Sequence, residues 1–150
     1  MSAGARRASA RESRPLLAIA AGGVLGALGR YELSVALPSK TTGFPWGTWL
    51  ANISGAFVLA GLLVVLADRW PHNRYARPFL GTGVLGSYTT FSTFAVESDL
   101  LFRAGHWLLA ASYVITSVAS GLLAGWLGGL AGRRVVPPGP DAVEPMDPDE

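Results

Sequence analysis

The sequence predicts an all-α membrane protein with four transmembrane helices, the third of which is broken near the middle of the bilayer. Half of the 150 residues are apolar and only 15% are charged. Four apolar runs each reach the roughly 20 residues that a helix needs to cross a bilayer. The third run, however, contains a stretch of glycine and hydroxyl residues, Gly81–Phe94, that is poor helix material.

The four runs divide the chain into one transmembrane domain, residues 15–132, and two tails. The runs cover Leu16–Leu37, Trp46–Ala67, Phe79–Phe102 and Trp107–Leu130. A cleavable signal peptide is the alternative for the first run, but that run is long and has no convincing cleavage site before Arg30. The basic segment 1–14 and the proline-rich, acidic segment 133–150 cannot bury a core, so we predict that both are disordered.

The basic residues predict the orientation. With four spans, the N-terminal tail, the second loop and the C-terminal end lie on one side of the membrane, and these segments carry nine arginines. The opposite side holds Lys40, Arg103 and at most Arg30. Because cytoplasmic loops hold the excess of Lys and Arg, both termini are expected in the cytoplasm.

The first two helices each carry one polar residue that needs an explanation. Gly22 and Gly26, four residues apart, predict a face for close helix packing. Arg30, in the last turns of the first helix, either snorkels to the interface or lines an aqueous vestibule. Asn52 lies deep in the second span, where its amide either joins two helices or offers N–H donors to an anion.

The third segment is the most informative part of the chain. Lipid cannot hydrogen-bond a frayed backbone, so a break at this depth must face protein, ion or water. We predict an unwound turn at Gly86–Thr89, whose free carbonyl oxygens would suit Na⁺. Beyond it, Phe91 and Phe94 share one helix face. Polar side chains accompany these rings: Thr90, Ser92, Thr93 and Glu97.

The fourth helix supplies a matching polar stripe. Tyr113, Thr116, Ser117 and Ser120 have the spacing of one helix face. The alternative is that these hydroxyls bond only their own backbone. The glycines at 121, 125 and 129 are interpreted as packing positions. Donors dominate the combined inventory and phenyl rings have positive edges, so the residues indicate a path for a small anion or a small polar cation, without naming it.

These motifs resemble those of the Fluc (CrcB) family of fluoride channels. The matching pieces are Gly-Gly-x-x-Gly-Ala-x-x-Arg-Tyr at 22–31, Asn-x-x-Gly at 52–55 and Gly-x-x-Thr-Thr-Phe-Ser-Thr-Phe at 86–94. They occur in the family's order and spacing, and the likeness covers about residues 16–132. The last string is highly specific in this context.

The resemblance implies a dual-topology dimer of two antiparallel subunits in the cell's inner membrane, with fluoride leaving passively along the interface. It implies a structural Na⁺, which is not transported, at the backbone of Gly86 and Thr89. It further implies that Asn52 is the pore amide and that Phe91 and Phe94 contact fluoride. Five side chains would form the polar track: Ser92, Thr93, Glu97, Tyr113 and Ser117. Arg30 would lie at the vestibule.

Two features depart from the family pattern. Ser87 stands where many members have a second glycine. The strong charge bias also argues against a chain that inserts in both orientations. We therefore expect a second, oppositely inserted homologue as the partner subunit, with a homodimer as the alternative.

Two other classes of membrane protein fit this sequence less well. A small multidrug-type transporter needs a membrane-buried glutamate in its first helix, and here only Glu32 lies there, near the helix end and beside Arg30. A non-transporting assembly protein would leave the broken segment and the hydroxyl stripe without a purpose. An enzyme is not expected, because the sequence contains no nucleophile–base pair or metal-ligand cluster.

Overall fold

The computed structural model describes residues 3–39, 42–71 and 73–136, with side chains from Arg14 onward. Within these ranges the chain is helical and contains no strand. The helices are α1 (Ala3–Ala36), α2 (Trp46–Arg69), a π-helical segment (Arg77–Leu85), α3 (Gly86–Tyr88), α4 (Phe91–Arg103) and α5 (Trp107–Val135). The π-helical segment continues directly into α3.

In the described part of the chain, three helices are long and apolar enough to cross a membrane: Arg14–Ala36 within α1, all of α2 and all of α5. The third predicted span is not one continuous helix. It corresponds to the π-helical segment and α3, followed by α4, with two non-helical residues between them. The prediction of an all-helical membrane protein is confirmed in this coarser form.

The structure describes most of the first predicted tail and little of the second. Helix α1 begins at Ala3, so most of the segment predicted to be a disordered tail is part of a helix. Alanine and arginine are both strong helix formers, which accounts for this difference. At the other end, α5 continues to Val135, while the proline-rich acidic residues from 137 on lie outside the described residues.

Glycines bring helix backbones into direct contact in two places. A Cβ atom at Gly22 would collide with the carbonyl oxygen of Phe79, and one at Gly26 with that of Val84, so α1 lies against the π-helical segment. Gly128 similarly faces the carbonyl oxygen of Phe57, joining α5 to α2. The predicted packing role of the first-helix glycines is confirmed.

The fourth-helix glycines at 121, 125 and 129 behave differently. A Cβ at any of these positions would meet nothing within 4 Å among the described residues. These glycines therefore do not pack within the subunit. The α5 glycines at which a Cβ would collide with α2 are instead Gly128 and Gly132.

Neighbouring glycines on α5 provide a matched test of this packing. We expect Gly128→Ala to lower the free energy of unfolding by about 1–3 kcal/mol, because the new methyl group would force α5 away from Phe57. Gly129→Ala adds the same methyl to open space and should be neutral or slightly stabilising. Unfolding of both variants in mixed micelles measures the difference, and equal stabilities would contradict the packing.

The helices form two groups that share α2. Helix α1 contacts the π-helical segment, α3 and α2, and within the described ranges it makes no contact with α4 or α5. Helix α5 instead contacts α2 and α4. Large apolar side chains such as Leu122, Leu108 and Ile115 remain about two-thirds exposed. Such a surface requires lipid or another subunit to cover it.

Candidate functional site

The interruption of the third span lies at Thr89 and Thr90. Thr89 has φ −79° and ψ 157°, and Thr90 has φ −150° and ψ 122°, so both residues are extended. The prediction placed the unwound turn at Gly86–Thr89, and this is wrong for Gly86–Tyr88, which are helical. The helix persists there because Leu85 O accepts bonds from both the N–H and the hydroxyl of Thr89, at 3.1 and 2.9 Å.

The Asn52 amide holds the interruption from the neighbouring helix. Its Nδ2 donates to the carbonyl oxygen of Thr90 at 3.0 Å, and its Oδ1 accepts the N–H of Thr90 at 2.8 Å. The Asn52 side chain thus forms hydrogen bonds with both the N–H and the carbonyl group of Thr90. Asn52 joins two helices, which was one of its two predicted roles. The other N–H of its amide has no protein partner among the described residues, so it can also serve as a donor.

The Thr90 side chain begins the next helix. Its Oγ1 accepts the N–H of Thr93 at 3.2 Å, which is the N-cap arrangement. The same hydroxyl lies 3.0 Å from Thr93 Oγ1 and 3.3 Å from Ser92 Oγ. Three of the predicted polar residues therefore form one connected group of hydroxyls at the start of α4.

These bonds change the backbone on which the predicted Na⁺ site depends. In a continuous helix the carbonyl of Gly86 would accept the N–H of Thr90, and that of Thr89 would accept the N–H of Thr93. Both N–H groups are instead bound by side chains, of Asn52 and of Thr90. The interruption thereby releases the carbonyls of the two residues predicted to bind the cation.

The two phenylalanines lie beside this interruption with different surroundings. Their ring centroids are 5.9 Å apart, and the Phe94 ring lies 5.3 Å from that of Tyr113. Phe94 packs against the buried cluster of Leu101, Ala110 and Tyr113. Phe91, by contrast, is 80% exposed and faces out of the subunit. Contacts within this chain therefore fix the position of the Phe94 ring but not that of the Phe91 ring.

Glu97 connects α4 to α5 and to the first loop. The fully buried Tyr113 donates its O–H to Glu97 Oε2 at 2.9 Å. Ser39 donates to the other carboxylate oxygen at 2.8 Å. Two members of the predicted polar track, Glu97 and Tyr113, are thus in direct contact, and both carboxylate oxygens already accept a hydrogen bond.

The hydroxyl stripe of α5 divides into two groups. Thr116 donates to the carbonyl of Ser112 at 2.6 Å, and Ser120 donates to that of Thr116, so both bond their own helix as the alternative interpretation proposed. Ser117 differs, because its Oγ is buried and has no hydrogen-bond partner among the described residues. Tyr113 and Ser117 are therefore the two members of the stripe that remain candidates.

Arg30 does not join the other predicted residues. It lies on α1, which makes no contact with α4 or α5 in the described part of the chain. The neighbouring Gly29 faces the ring of Tyr88. The other candidates gather where α2, α4 and α5 meet the interruption. Arg30 lies away from this group.

The prediction missed three contributors to this region. The cap by Thr90 was foreseeable, because a threonine directly before an apolar-periodic helix is a standard start signal. The bond between Ser54 Oγ and the Tyr88 hydroxyl, at 3.0 Å, carried no sequence signal. The same holds for the ring of Phe44, which packs edge-on against Tyr113 at 5.3 Å.

The fold and this region define a small helical membrane protein. Within the described residues it has three uninterrupted apolar helices, and in the interrupted third span an amide and a hydroxyl bind the backbone N–H groups at the opening. A family model described as CrcB-like protein, Camphor Resistance (CrcB), matches residues 17–129. The chain belongs to this family.

Curated relatives agree with the family assignment. "Fluoride-specific ion channel FluC 3" of Streptomyces avermitilis is 48% identical over 81% of this chain, and the match spans 59% of that relative's length. "Fluoride-specific ion channel FluC 1" of Mycolicibacterium paratuberculosis is 45% identical over 81% of this chain and 92% of its own length. "Fluoride-specific ion channel FluC 1" of Streptomyces coelicolor is 41% identical over 87% and 85%. All three of these relatives are named as ion channels.

Proposed function

We propose that this chain is a subunit of a fluoride-specific channel in the inner membrane, through which fluoride leaves the cell passively down the inside-negative potential. The observation that carries the proposal is the interruption at Thr89–Thr90 with hydroxyls, an amide and two phenyl rings around it. The names of the relatives, over most of this chain, supply the ion. Neither a multidrug transporter nor a non-transporting assembly protein would explain both the interruption and the names of the relatives.

The chemistry of the site suits a small, strongly hydrated anion. Fluoride must exchange its water shell for donors, and the site offers the free Asn52 N–H and the hydroxyls of Ser92, Thr93 and Ser117. Phenyl edges at Phe91 and Phe94 add positive electrostatic potential without a full charge. Such donors bind weakly enough to release the ion, as conduction requires.

The released carbonyls support a structural Na⁺ at the interruption. Na⁺ prefers hard oxygen ligands, and backbone carbonyls of unwound transmembrane helices serve this purpose in transporters. Gly86 and Thr89 would hold the ion, because side chains have taken the N–H groups that these carbonyls would otherwise accept. Two oxygens are too few for one cation, so we propose that an antiparallel partner subunit supplies the same pair. The ion's role is to fix the two subunits together.

Removal of Na⁺ tests this site. Because a ligand that binds only the folded assembly stabilises it, we expect the melting temperature of the assembled channel to fall when N-methyl-D-glucamine replaces Na⁺. K⁺ at the same ionic strength controls for salt. A melting temperature that is identical in all three cations would contradict a bound Na⁺.

The partner subunit is proposed to be an oppositely inserted homologue. Nine arginines on one predicted side against at most three basic residues on the other favour a single orientation for this chain, with both termini in the cytoplasm. Relatives with different numbers, FluC 2 and FluC 3, occur together in Streptomyces avermitilis. A homodimer remains the alternative. If this chain expressed alone forms conducting dimers, no second homologue is required.

A growth assay tests the function in cells. Bacteria that lack their own fluoride exporter should grow at raised fluoride when they express this chain, with its homologue if one is needed. Chloride tolerance should not change. Failure of well-expressed, membrane-inserted protein to confer fluoride resistance would contradict the proposal.

A further inference from the structure

A furrow runs along the C-terminal half of α2, on the side that faces the π-helical segment. The part farther along α2 from the loop is an open depression of about 430 Å³ lined mainly by apolar groups, among them Ile19, Leu59 and Leu63. The outer part of the furrow is a smaller cavity of about 200 Å³ with a mixed lining that includes Trp70 and Asn73. Arg77 lines both cavities, so the two parts meet at this side chain.

The α2 residues of the furrow lie on one helix face. Leu59, Leu63, Leu66 and Trp70 are spaced by three or four residues, and the first two line the apolar part while the last two line the outer part. From Leu59 to Trp70 the helix rises about 16 Å, at 1.5 Å per residue. This length is close to the ~15 Å depth of one leaflet's hydrocarbon layer. The furrow as a whole thus has a length similar to that of an acyl chain in one leaflet.

The segment at the outer end of the furrow is rich in arginine, and one of these arginines, Arg77, lines the furrow itself. Between Leu66 and Arg77 the chain carries Arg69, Arg74 and Arg77 but only one acid, Asp68. Within the described ranges the one salt bridge joins Arg103 to Asp99, so none of these three arginines is paired there. Asn73 Oδ1 fixes the conformation of this loop by accepting the N–H groups of Tyr75 and Ala76, both at 3.0 Å.

We propose that this furrow binds one anionic phospholipid, with its phosphate at Arg77 and an acyl chain between α2 and the π-helical segment. Basic residues beside the membrane attract anionic headgroups, and Trp70 at the outer end suits the headgroup layer. A free phosphate would account for the arginines but not for the apolar depression that Arg77 also lines. The site lies apart from the interruption and does not depend on fluoride conduction.

Native mass spectrometry of the full-length protein tests the site with phosphatidylglycerol and phosphatidylcholine. Arg77→Gln should retain phosphatidylglycerol roughly five-fold less well, the loss expected for one arginine at an anionic surface. Arg133→Gln removes the same charge from the same predicted side but lines neither cavity, so it should retain the lipid as the unmodified protein does. Leu63→Trp fills the apolar part and should also reduce retention, although it keeps every charge.

Several outcomes would overturn the proposal. Unchanged retention by Arg77→Gln, or an equal loss in Arg133→Gln, would leave only diffuse attraction between arginines and lipid. Competition by millimolar inorganic phosphate that releases the bound lipid would indicate a phosphate site. If Leu63→Trp lowers the fraction of assembled subunits but leaves lipid retention unchanged, the furrow is a contact between subunits.

Discussion

Replacing Asn52 by alanine is expected to destabilise the protein by roughly 2–4 kcal/mol and to abolish most of its fluoride flux. The substitution removes both hydrogen bonds to Thr90, of 3.0 and 2.8 Å. The N–H and the carbonyl of Thr90 are then left without a partner. Unsatisfied backbone groups are especially costly where water is absent. The chain can avoid part of this cost only by bonding the N–H of Thr90 to the carbonyl of Gly86, as in a continuous helix, and that would close the interruption. Unfolding in mixed micelles and efflux from liposomes measure the two effects.

The control for this variant removes a hydroxyl that bonds only its own helix. Ser112 is exposed and donates to the carbonyl of Leu109 at 2.8 Å, so Ser112→Ala should change stability by less than about 0.5 kcal/mol. Asn52→Asp tests the effect of charge. It keeps an oxygen that can accept the N–H of Thr90, but it places a negative charge at the site. We expect it to suppress anion passage. An Asn52→Ala protein with normal stability and normal flux would contradict the role of this amide.

Phe94→Ile is expected to lower fluoride flux by roughly ten-fold or more, equivalent to at least ~1.4 kcal/mol at the conduction barrier. Isoleucine fills much of the same space, so the fold should lose less than about 1.5 kcal/mol. It lacks an aromatic edge, however, and cannot present positive potential to an anion. Fluoride efflux and thermal unfolding of the same preparation separate the two quantities.

Phe102→Ile is the matched control for that ring. It makes the same change near the end of the same helix, at a ring that is 67% exposed and has no contact with the interruption. Its flux should equal that of the unmodified protein. Equal fluxes for Phe94→Ile and Phe102→Ile would exclude the Phe94 ring from the conduction path.

Much of the fold was predictable because apolar length and the placement of charge dictate membrane spans. The runs beginning at Trp46 and Trp107 match α2 and α5 at their first residues. The packing of Gly22 and Gly26 was also predictable, since close backbone approach in a bilayer demands small residues. Helix α1 starts earlier than expected because local propensity, which composition alone does not weigh, favours helix in its alanine- and arginine-rich start.

The details of the site were less predictable, because they depend on which hydrogen-bond partner each polar group has in the folded protein. The sequence indicated that the Gly86–Thr89 stretch was poor helix material, but only the contact with Asn52 shifts the opening to Thr89–Thr90. The same limit applies to α5, where Thr116 bonds its own helix and Ser117 does not, although both have the same spacing. A pattern identifies a face, and tertiary contacts decide which of its members remain available.

Fluoride efflux from liposomes, recorded with a fluoride-selective electrode, tests the central claim most directly. The purified assembly is placed in vesicles loaded with fluoride or chloride, and valinomycin in a K⁺ gradient starts the passive outflow. The account predicts rapid fluoride release, strongly reduced by Asn52→Ala and Phe94→Ile, with chloride retained. Vesicles that hold their fluoride, or release both halides equally, would contradict it.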